Sequence, residues 1–247
     1  MSEVKEAVRS HYADIAKQLA VLPAGTTEGC CTGDGDCGCD CGYSDQELKD
    51  IGLSDAVSQG CGNPTMLAEL KPGDIVVDLG SGAGLDVLLS ARRVSPGGHA
   101  YGVDMTDEML ELANRNRDRV RAKNATFLKG SIDSIPLPDG LVDVVISNCV
   151  INLAEDKGAV LKEAFRLLRS GGRLAVADMV ELEALTPSTK TRLDSWAGCI
   201  SGTIPVEEYR AELTSAGFEN IEFEVHATQT LPDVGKIGSA YIRARKP

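Results

Sequence analysis

Cysteine is the residue type whose number and setting in this sequence most directly indicate chemistry. The chain has eight cysteines in 247 residues. Thiolates bind soft metals and take part in redox reactions, and in a reducing compartment either use is more common than a structural disulfide. Three cysteines lie far apart, in the segments GCGNP, SNCVINL and WAGC, and they are Cys61, Cys149 and Cys199. The other five are close together, and they are Cys30, Cys31, Cys37, Cys39 and Cys41.

The cysteine cluster lacks the paired C-x2-C spacing that structural zinc sites use, which makes zinc the less favoured of its interpretations. Binding of a soft metal, transfer of a substrate inward and a disordered segment are the alternatives. A single cysteine in an apolar setting is often a small core residue, and for Cys61 that reading and a functional one remain open.

A second group of residues indicates a ligand site at a glycine-rich turn. The apolar run from Ile75 to Leu79 predicts a buried strand, and it leads into the turn GSGAG, which begins at Gly80. Glycines at such a turn let the backbone approach a ligand closely. The dinucleotide fingerprint is G-x-G-x-x-G, whereas the third glycine here comes one residue early, so a nicotinamide or flavin site is less favoured. Asp104 ends the next predicted strand.

The elements that must position these residues alternate between strand and helix, which predicts an α/β fold with a doubly wound, mostly parallel sheet. We expect a helix over residues 1–22, a loop over 23–46 and a capping box from Ser44 to Glu47. The predicted strands are 75–79, 99–104, 126–129, 142–147, 173–177, 221–227 and 238–245, the last two antiparallel to each other. The main predicted helices are 66–70, 85–94, 107–123, 157–169 and 207–216.

Composition sets limits on partners and location. The net charge of −12 disfavours nucleic acid and anionic membranes as partners. The sequence lacks an apolar run near the ~20 residues that span a bilayer, and its first residues are charged rather than signal-like. We therefore expect a cytoplasmic protein.

The segments DLGSGAG and GVDMT resemble the cofactor motifs of class I methyltransferases. Together with GCGNP, SNCVINL and WAGC, they make residues 28–220 resemble the arsenite methyltransferases. This resemblance implies a class I methyltransferase fold, Rossmann-like, with the last strand antiparallel and strand order 3-2-1-4-5-7-6. It also implies three regions. Residues 1–60 form a helical and Cys-rich extension, 61–180 the cofactor-binding core, and 181–247 an acceptor-site segment that completes the sheet.

The resemblance implies S-adenosylmethionine as methyl donor. Asp78 is expected to face the cationic methionine end of this cofactor, Asp104 its ribose hydroxyls, and Asn148 its methionine end. The full set of expected cofactor residues is Asp78, Gly80, Ser81, Gly82, Gly84, Asp104, Met105, Ser131, Ile132 and Asn148. Asp86 and Asp178 are interpreted as ordinary structural acids.

The resemblance also implies trivalent arsenic as the small-molecule substrate. Cys149 and Cys199 would bind arsenic during each methylation, Cys61 would be a third thiolate, and one of Cys30 or Cys31 would be a relay thiol. Topology supports the place of Cys149, because the fourth strand ends beside the first at the edge where ligands bind. Trivalent arsenic keeps a lone pair that serves as nucleophile, so no general base is required, and we interpret His11, His99 and His226 as structural.

Methyl transfer leaves arsenic pentavalent, so we expect a thiol reductant, thioredoxin or glutathione, to complete the cycle. Two other functions remain open at this point. One is a small-molecule carbon, oxygen or nitrogen methyltransferase on the same fold, which fold alone does not exclude. The other is a non-enzymatic thiol protein that binds soft metals.

Overall fold

The computed structural model describes residues 2–21, 43–53, 60–190, 200–231 and 235–247. The strands are β1 (Ile75–Leu79), β2 (His99–Asp104), β3 (Ala125–Lys129), β4 (Val142–Asn148), β5 (Leu168–Glu183), β6 (Glu219–Leu231) and β7 (Gly235–Arg245). The helices are α1 (Glu3–Val21), α2 (Asp45–Asp50), α3 (Pro64–Leu67), α4 (Leu85–Arg93), α5 (Asp107–Val120), α6 (Lys157–Leu167), α7 (Pro187–Lys190) and α8 (Val206–Ser215). A short 3-10 helix covers Ile151–Leu153.

The strands form one seven-stranded sheet in the order β3-β2-β1-β4-β5-β7-β6. The strands from β3 to β5 pair in parallel, and β7 runs antiparallel to both of its neighbours. The predicted fold class and strand order are therefore confirmed. Residues 181–247 contribute β6 and β7 to the same sheet as the preceding core.

Both faces of the sheet are covered, so β1 and β4 are buried along almost their whole length. On one face, α6 and α8 bury Leu161, Leu167 and Leu213 against the strands. On the other, α4 buries Val87 and Leu88 with residues of β1 and β2. The carboxyl ends of the parallel strands lie at the edge of the sheet where ligands bind in folds of this class.

The predicted N-terminal helix is confirmed as α1, which packs against α5. The predicted capping box is also present at the start of α2, where Ser44 and Glu47 satisfy each other's backbone N–H groups. Within the segments that the structure describes, no helix is long and apolar enough to cross a membrane.

Several predicted boundaries were wrong for local reasons. Helix α5 ends at Val120 rather than near residue 123, because Arg121 takes up a left-handed conformation with φ of 56°. Helix α6 ends at Leu167, and β5 begins at Leu168 and extends to Glu183, well beyond the predicted 173–177. The helix predicted at 66–70 is instead the short α3, which Asn63 caps by accepting from the Met66 N–H. Most of the predicted 23–46 loop lies outside the described residues.

Candidate active site

A cavity of about 320 Å³ opens at the carboxyl ends of β1, β2 and β4. Its size is within the range of small-molecule sites. Most of the residues predicted to hold the cofactor line it. They are Asp78, Gly80, Ser81, Gly82, Asp104, Met105, Ser131, Ile132 and Asn148. Gly84 is not among the lining residues, since it serves the turn beneath them.

The glycine turn after β1 has a backbone that side chains would not permit. Gly80, Gly82 and Gly84 all have positive φ, at 70°, 49° and 88°. A Cβ on Gly80 would come within 2.4 Å of the Val150 side chain, and one on Gly84 within 2.5 Å of Phe127. The turn therefore needs glycine both for its dihedral angles and for space, and this brings its backbone to the cavity wall.

Asp104 fixes this turn and keeps acceptor capacity for a ligand. One carboxylate oxygen accepts from the Gly82 N–H at 2.9 Å and the other from the Thr106 N–H at 2.8 Å. Burial raises the pKa of Asp104, while these N–H donors favour the ionised form. Each oxygen has a second lone pair, so the group is suited to the ribose diol predicted from the sequence.

The wall formed by the end of β1 and the start of α4 concentrates buried carboxyl groups. Burial raises the pKa of Asp78 well above its usual range, and Asp86 and Asp104 raise it further. Burial also raises the pKa of Asp86 to about 6. Neither Asp78 nor Asp86 has a salt-bridge partner within the described residues. Clustered carboxylates of this kind are stabilised by a cationic ligand, so the wall fits a sulfonium and its neighbouring ammonium group.

Asp86 and Tyr43 belong to the site although the sequence analysis did not assign them to it. The Tyr43 hydroxyl donates to Asp86 at 2.7 Å, and burial with the nearby Asp86 charge raises the pKa of Tyr43 well above its usual range. Asp86 lines the cavity. Its position in the first turn of α4, directly after the glycine turn, was a signal that favoured the site over a purely structural role.

Helix α1 is a further part of the wall that the sequence did not indicate. Lys5, Val8, Tyr12 and Leu19 line the cavity from this helix. Lys5 donates to Ser131 Oγ at 2.6 Å and lies 3.6 Å from Asp133, so it joins α1 to the loop after β3. The amphipathic spacing of residues 1–22 predicted this helix, but it did not indicate what the buried face of the helix covers.

Two of the predicted acceptor cysteines meet beside this cavity. Cys61 and Cys149 form a disulfide, with their Cα atoms 5.8 Å apart and a sequence separation of 88. Asn148 and Val150, on either side of Cys149, line the cavity, and so does Gly60, which precedes Cys61. The sulfur pair therefore adjoins the cofactor cleft.

The surroundings of the sulfur pair are apolar. The buried residues Met179, Leu185 and Ile237 pack with Cys61 and Cys149, and Leu153 and Ile200 border the same cluster. A buried, apolar setting of this kind favours soft ligands over hydrated ions.

A buried polar group lies beneath the sulfur pair. Asp178 accepts from the Asn152 amide at 2.8 Å and from the Met179 N–H at 2.9 Å. Its second oxygen has no hydrogen-bond partner within the described residues, and burial raises the pKa of Asp178 to about 7. The structural role expected for Asp178 is consistent with this placement below the 3-10 helix that follows Cys149.

The remaining acceptor cysteines, Cys199, Cys30 and Cys31, lie outside the described residues, as do Cys37, Cys39 and Cys41. The three histidines are described, and none lines the cavity. His99 contacts Thr126 and the Tyr101 ring, and His226 stacks on Tyr241.

Comparison with known proteins agrees with this geometry. Residues 70–217 match the family model described as "Methyltransferase domain". The sheet order, the glycine turn and the carboxylate-lined cleft together define a class I S-adenosylmethionine-dependent methyltransferase.

Two curated relatives are arsenite methyltransferases. That of Halobacterium salinarum is 37% identical over 99% of this chain and 67% of its own length. The human protein is 30% identical over 88% of this chain and 58% of its own length. Among solved structures, the arsenic(III) S-adenosylmethionine methyltransferase of Chlamydomonas reinhardtii matches with a TM-score of 0.67 at 27% identity, over 95% of this chain and 73% of that one. The chain belongs to the arsenite methyltransferase family, and it spans about two thirds or less of the curated relatives just named.

Proposed function

We propose that this chain transfers methyl groups from S-adenosylmethionine to trivalent arsenic bound by cysteine thiolates, giving methylated arsenicals and so detoxifying arsenic. The observation that carries the proposal is the convergence of Cys61 and Cys149 beside the carboxylate-lined cleft. Family membership supports the same conclusion. Fold alone would leave other methyl acceptors open, but a buried sulfur pair suits a soft acceptor rather than a carbon, oxygen or nitrogen atom.

In this proposal one end of the cleft binds the cofactor and the other binds arsenic. The cofactor supplies an electrophilic methyl group on a positively charged sulfur. Asp78 and Asp86 stabilise that charge, and Asp104 with the glycine turn fixes the cofactor's orientation. Cys61, Cys149 and Cys199 bind arsenic as thiolates, which leaves its lone pair as the nucleophile. No proton leaves the acceptor, so positioning is the main contribution of the protein, and positioning alone is worth up to ~7–11 kcal/mol.

The thiols have a second task, because each transfer oxidises arsenic from the trivalent to the pentavalent state. Return to the trivalent state takes two electrons, which two cysteine thiols supply by forming a disulfide and releasing two protons. Thioredoxin or glutathione would then reduce that disulfide. Cys30 or Cys31 is the proposed relay thiol in this exchange. A reductant of this kind is cytoplasmic, which is the location we propose for the protein.

The experiment that tests the proposal is incubation of purified protein with arsenite, isotopically labelled S-adenosylmethionine and glutathione, followed by chromatographic separation of the arsenic species. Labelled methylarsenicals are expected from the natural sequence. The double variant Cys149→Ser/Cys199→Ser should give none, and its cofactor binding and thermal unfolding should confirm that it is folded. Methyl transfer to another acceptor that survives in the double variant would instead favour the small-molecule alternative.

A second assay addresses the redox step. A single turnover without added reductant should convert two protein thiols into a disulfide for each arsenic methylated, as counted by alkylation and mass spectrometry. Retention of all thiols after turnover would reject this step while leaving methyl transfer itself intact.

A further inference from the structure

Asn148 is the last residue of β4, and it directly precedes Cys149 in the chain. Its side chain contacts the loop that carries the other cysteine of the pair. The amide oxygen accepts from the Cys61 N–H at 2.9 Å, and the amide nitrogen donates to the Gly62 carbonyl at 2.7 Å. One side chain therefore binds the backbone on both sides of Cys61.

The fit between this amide and the loop is close. A Cβ on Gly60 would lie 2.2 Å from the Asn148 side-chain amide, so the loop backbone lies directly against it. On the other side of the loop, a Cβ on Gly62 would lie 2.8 Å from the Tyr241 ring. The loop is thus enclosed between Asn148 and Tyr241, and only glycine leaves room for both contacts.

The position of Cys149 is set separately. Its N–H donates to the Ala177 carbonyl of β5 at 2.8 Å, and its φ is 56°, a left-handed conformation that turns the chain sharply after β4. Cys149 is therefore fixed by the sheet. Cys61 lies outside the sheet, and its distance from Cys149 depends on what holds the loop.

We propose that Asn148 is a positioning residue that keeps Cys61 beside Cys149 when the two are free thiols. The disulfide holds the pair covalently, but thiols that bind arsenic have no such bond, and the two hydrogen bonds of the Asn148 amide remain. Loss of the amide would let the loop move away and lower the effective concentration of one thiol at the other. This inference rests on the proposed function only in assigning the free thiols to arsenic.

The same amide also contacts the cofactor end of the cleft. Its nitrogen lies 2.9 Å from the Tyr43 hydroxyl, to which it donates, and 3.3 Å from a carboxylate oxygen of Asp86. Within the described residues, the Tyr43 hydroxyl bonds to Asp86 and Asn148 and not to the Cys61 loop, so Tyr43→Phe is a matched control. It removes a partner of Asn148 and leaves both bonds to the loop in place.

The test is a redox titration of the full chain in glutathione buffers, with neither arsenic nor S-adenosylmethionine present. Two molecules of glutathione reduce the Cys61–Cys149 disulfide to two thiols and become one glutathione disulfide. After acid quenching and alkylation, mass spectrometry of the peptides that carry Cys61 and Cys149 gives the ratio of disulfide to dithiol. We expect Asn148→Ala to shift this equilibrium about tenfold toward the dithiol, as the loss of two hydrogen bonds would, and Tyr43→Phe to shift it less than about twofold.

An Asn148→Ala equilibrium within about twofold of the natural sequence would overturn the proposal, and so would an equal shift in Tyr43→Phe. If Asn148→Ala does not fold, as judged by circular dichroism, Gly60→Ala decides the question, because its methyl group displaces the loop from the same amide. Gly60→Ala should also shift the equilibrium toward the dithiol, and no shift would overturn the proposal. Because arsenic is absent from the titration, failure of this proposal and failure of the proposed function give different results.

Discussion

The two ends of the cleft are built in different ways. The cofactor end is mostly backbone, with a glycine turn at positive φ and two N–H groups that donate to Asp104. Its side chains of consequence are carboxylates that face an open cavity. The acceptor end is made by side chains that come from distant parts of the chain, with Cys61 and Cys149 88 residues apart. Its described residues are mostly apolar, and the carboxyl group of Asp178 is fully buried beneath them.

The difference indicates that the two ends of the cleft recognise different ligands. A charged, polar end suits a ligand that is recognised by hydrogen bonds and charge, whereas a dry, sulfur-lined end suits a soft atom that needs few directional contacts. The buried carboxylates make the division testable. Asp78 and Asp178 are both buried and both have a raised pKa, but only Asp78 lines the cavity.

Replacement of a sulfur should have the largest effect and should be confined to one end. We expect Cys149→Ser to lower the rate of arsenite methylation by about a hundredfold or more, because a hard hydroxyl replaces a soft ligand and the two-thiol redox step is lost. The affinity for S-adenosylhomocysteine, measured by calorimetry, should stay within about twofold. A large loss of that affinity would show that the two ends are not separate.

Removal of charge from the other end should give the next largest effect. Asp78→Asn should weaken S-adenosylmethionine binding by about tenfold or more, since its carboxylate faces the cationic part of the cofactor. Asp178→Asn is the matched control, because it removes a buried carboxylate that does not reach the cavity. Equal losses of affinity in both variants would contradict the assignment of the cation to the Asp78 wall.

The residues of the cofactor end were predicted more completely than those of the acceptor end, for a physical reason. Its residues follow one another along βα units, so motif spacing and strand order are enough to place Gly80, Gly82 and Asp104 at one edge. The order of all seven strands followed from the resemblance to the family. The predicted helix ends were less accurate. The end of α5 depends on the left-handed backbone of Arg121, and the end of α6 depends on the start of the long strand β5. Hydrophobic periodicity indicates neither.

Contacts between distant segments were the part that the sequence did not provide. Tyr43 lies in a segment interpreted as loop, yet it donates to Asp86, and α1 was predicted without its place on the cavity. The meeting of Cys61 with Cys149 was expected from family resemblance rather than from spacing. The place of Cys199 stays a prediction.

The pH dependence of cofactor binding provides a further test of the difference between the carboxylate-lined end and the apolar end. Asp86, with a pKa of about 6, and Asp78, with its raised pKa, must lose their protons to attract a sulfonium. The preference for S-adenosylmethionine over the uncharged thioether of S-adenosylhomocysteine should therefore grow by about fivefold to tenfold between pH 5 and pH 8. Calorimetry with both ligands at each pH measures it. A preference that stays constant over this range would contradict a carboxylate-stabilised cation.

Asp178 should affect stability rather than binding. Its pKa rises from 3.8 to about 7 on folding, so between those pH values the folded protein holds a proton that the unfolded chain has released. The contribution of this group to stability is therefore greatest at low pH and falls as pH rises, by up to about 4 kcal/mol at about 1.4 kcal/mol per pH unit. Asp178→Asn should remove that part of the decline, so urea unfolding should show the variant gaining on the natural sequence between pH 5 and pH 8. The same difference at both pH values would show that Asp178 keeps an ordinary pKa.

The smallest effect is expected where α1 meets the cleft. Lys5 is partly exposed, and it joins α1 to Ser131 and Asp133 rather than to the carboxylate wall. Lys5→Ala should weaken the binding of S-adenosylmethionine and S-adenosylhomocysteine to the same extent, by about twofold to fivefold, because α1 would cover the cavity less firmly and the sulfonium is not involved. Lys17→Ala is the matched control, since Lys17 is on the same helix and is paired with Asp14 and Glu108 at the surface. A change in the ratio of the two affinities in Lys5→Ala would instead show that the helix acts at the charged wall. No change in either affinity would show that this contact of α1 does not contribute to binding.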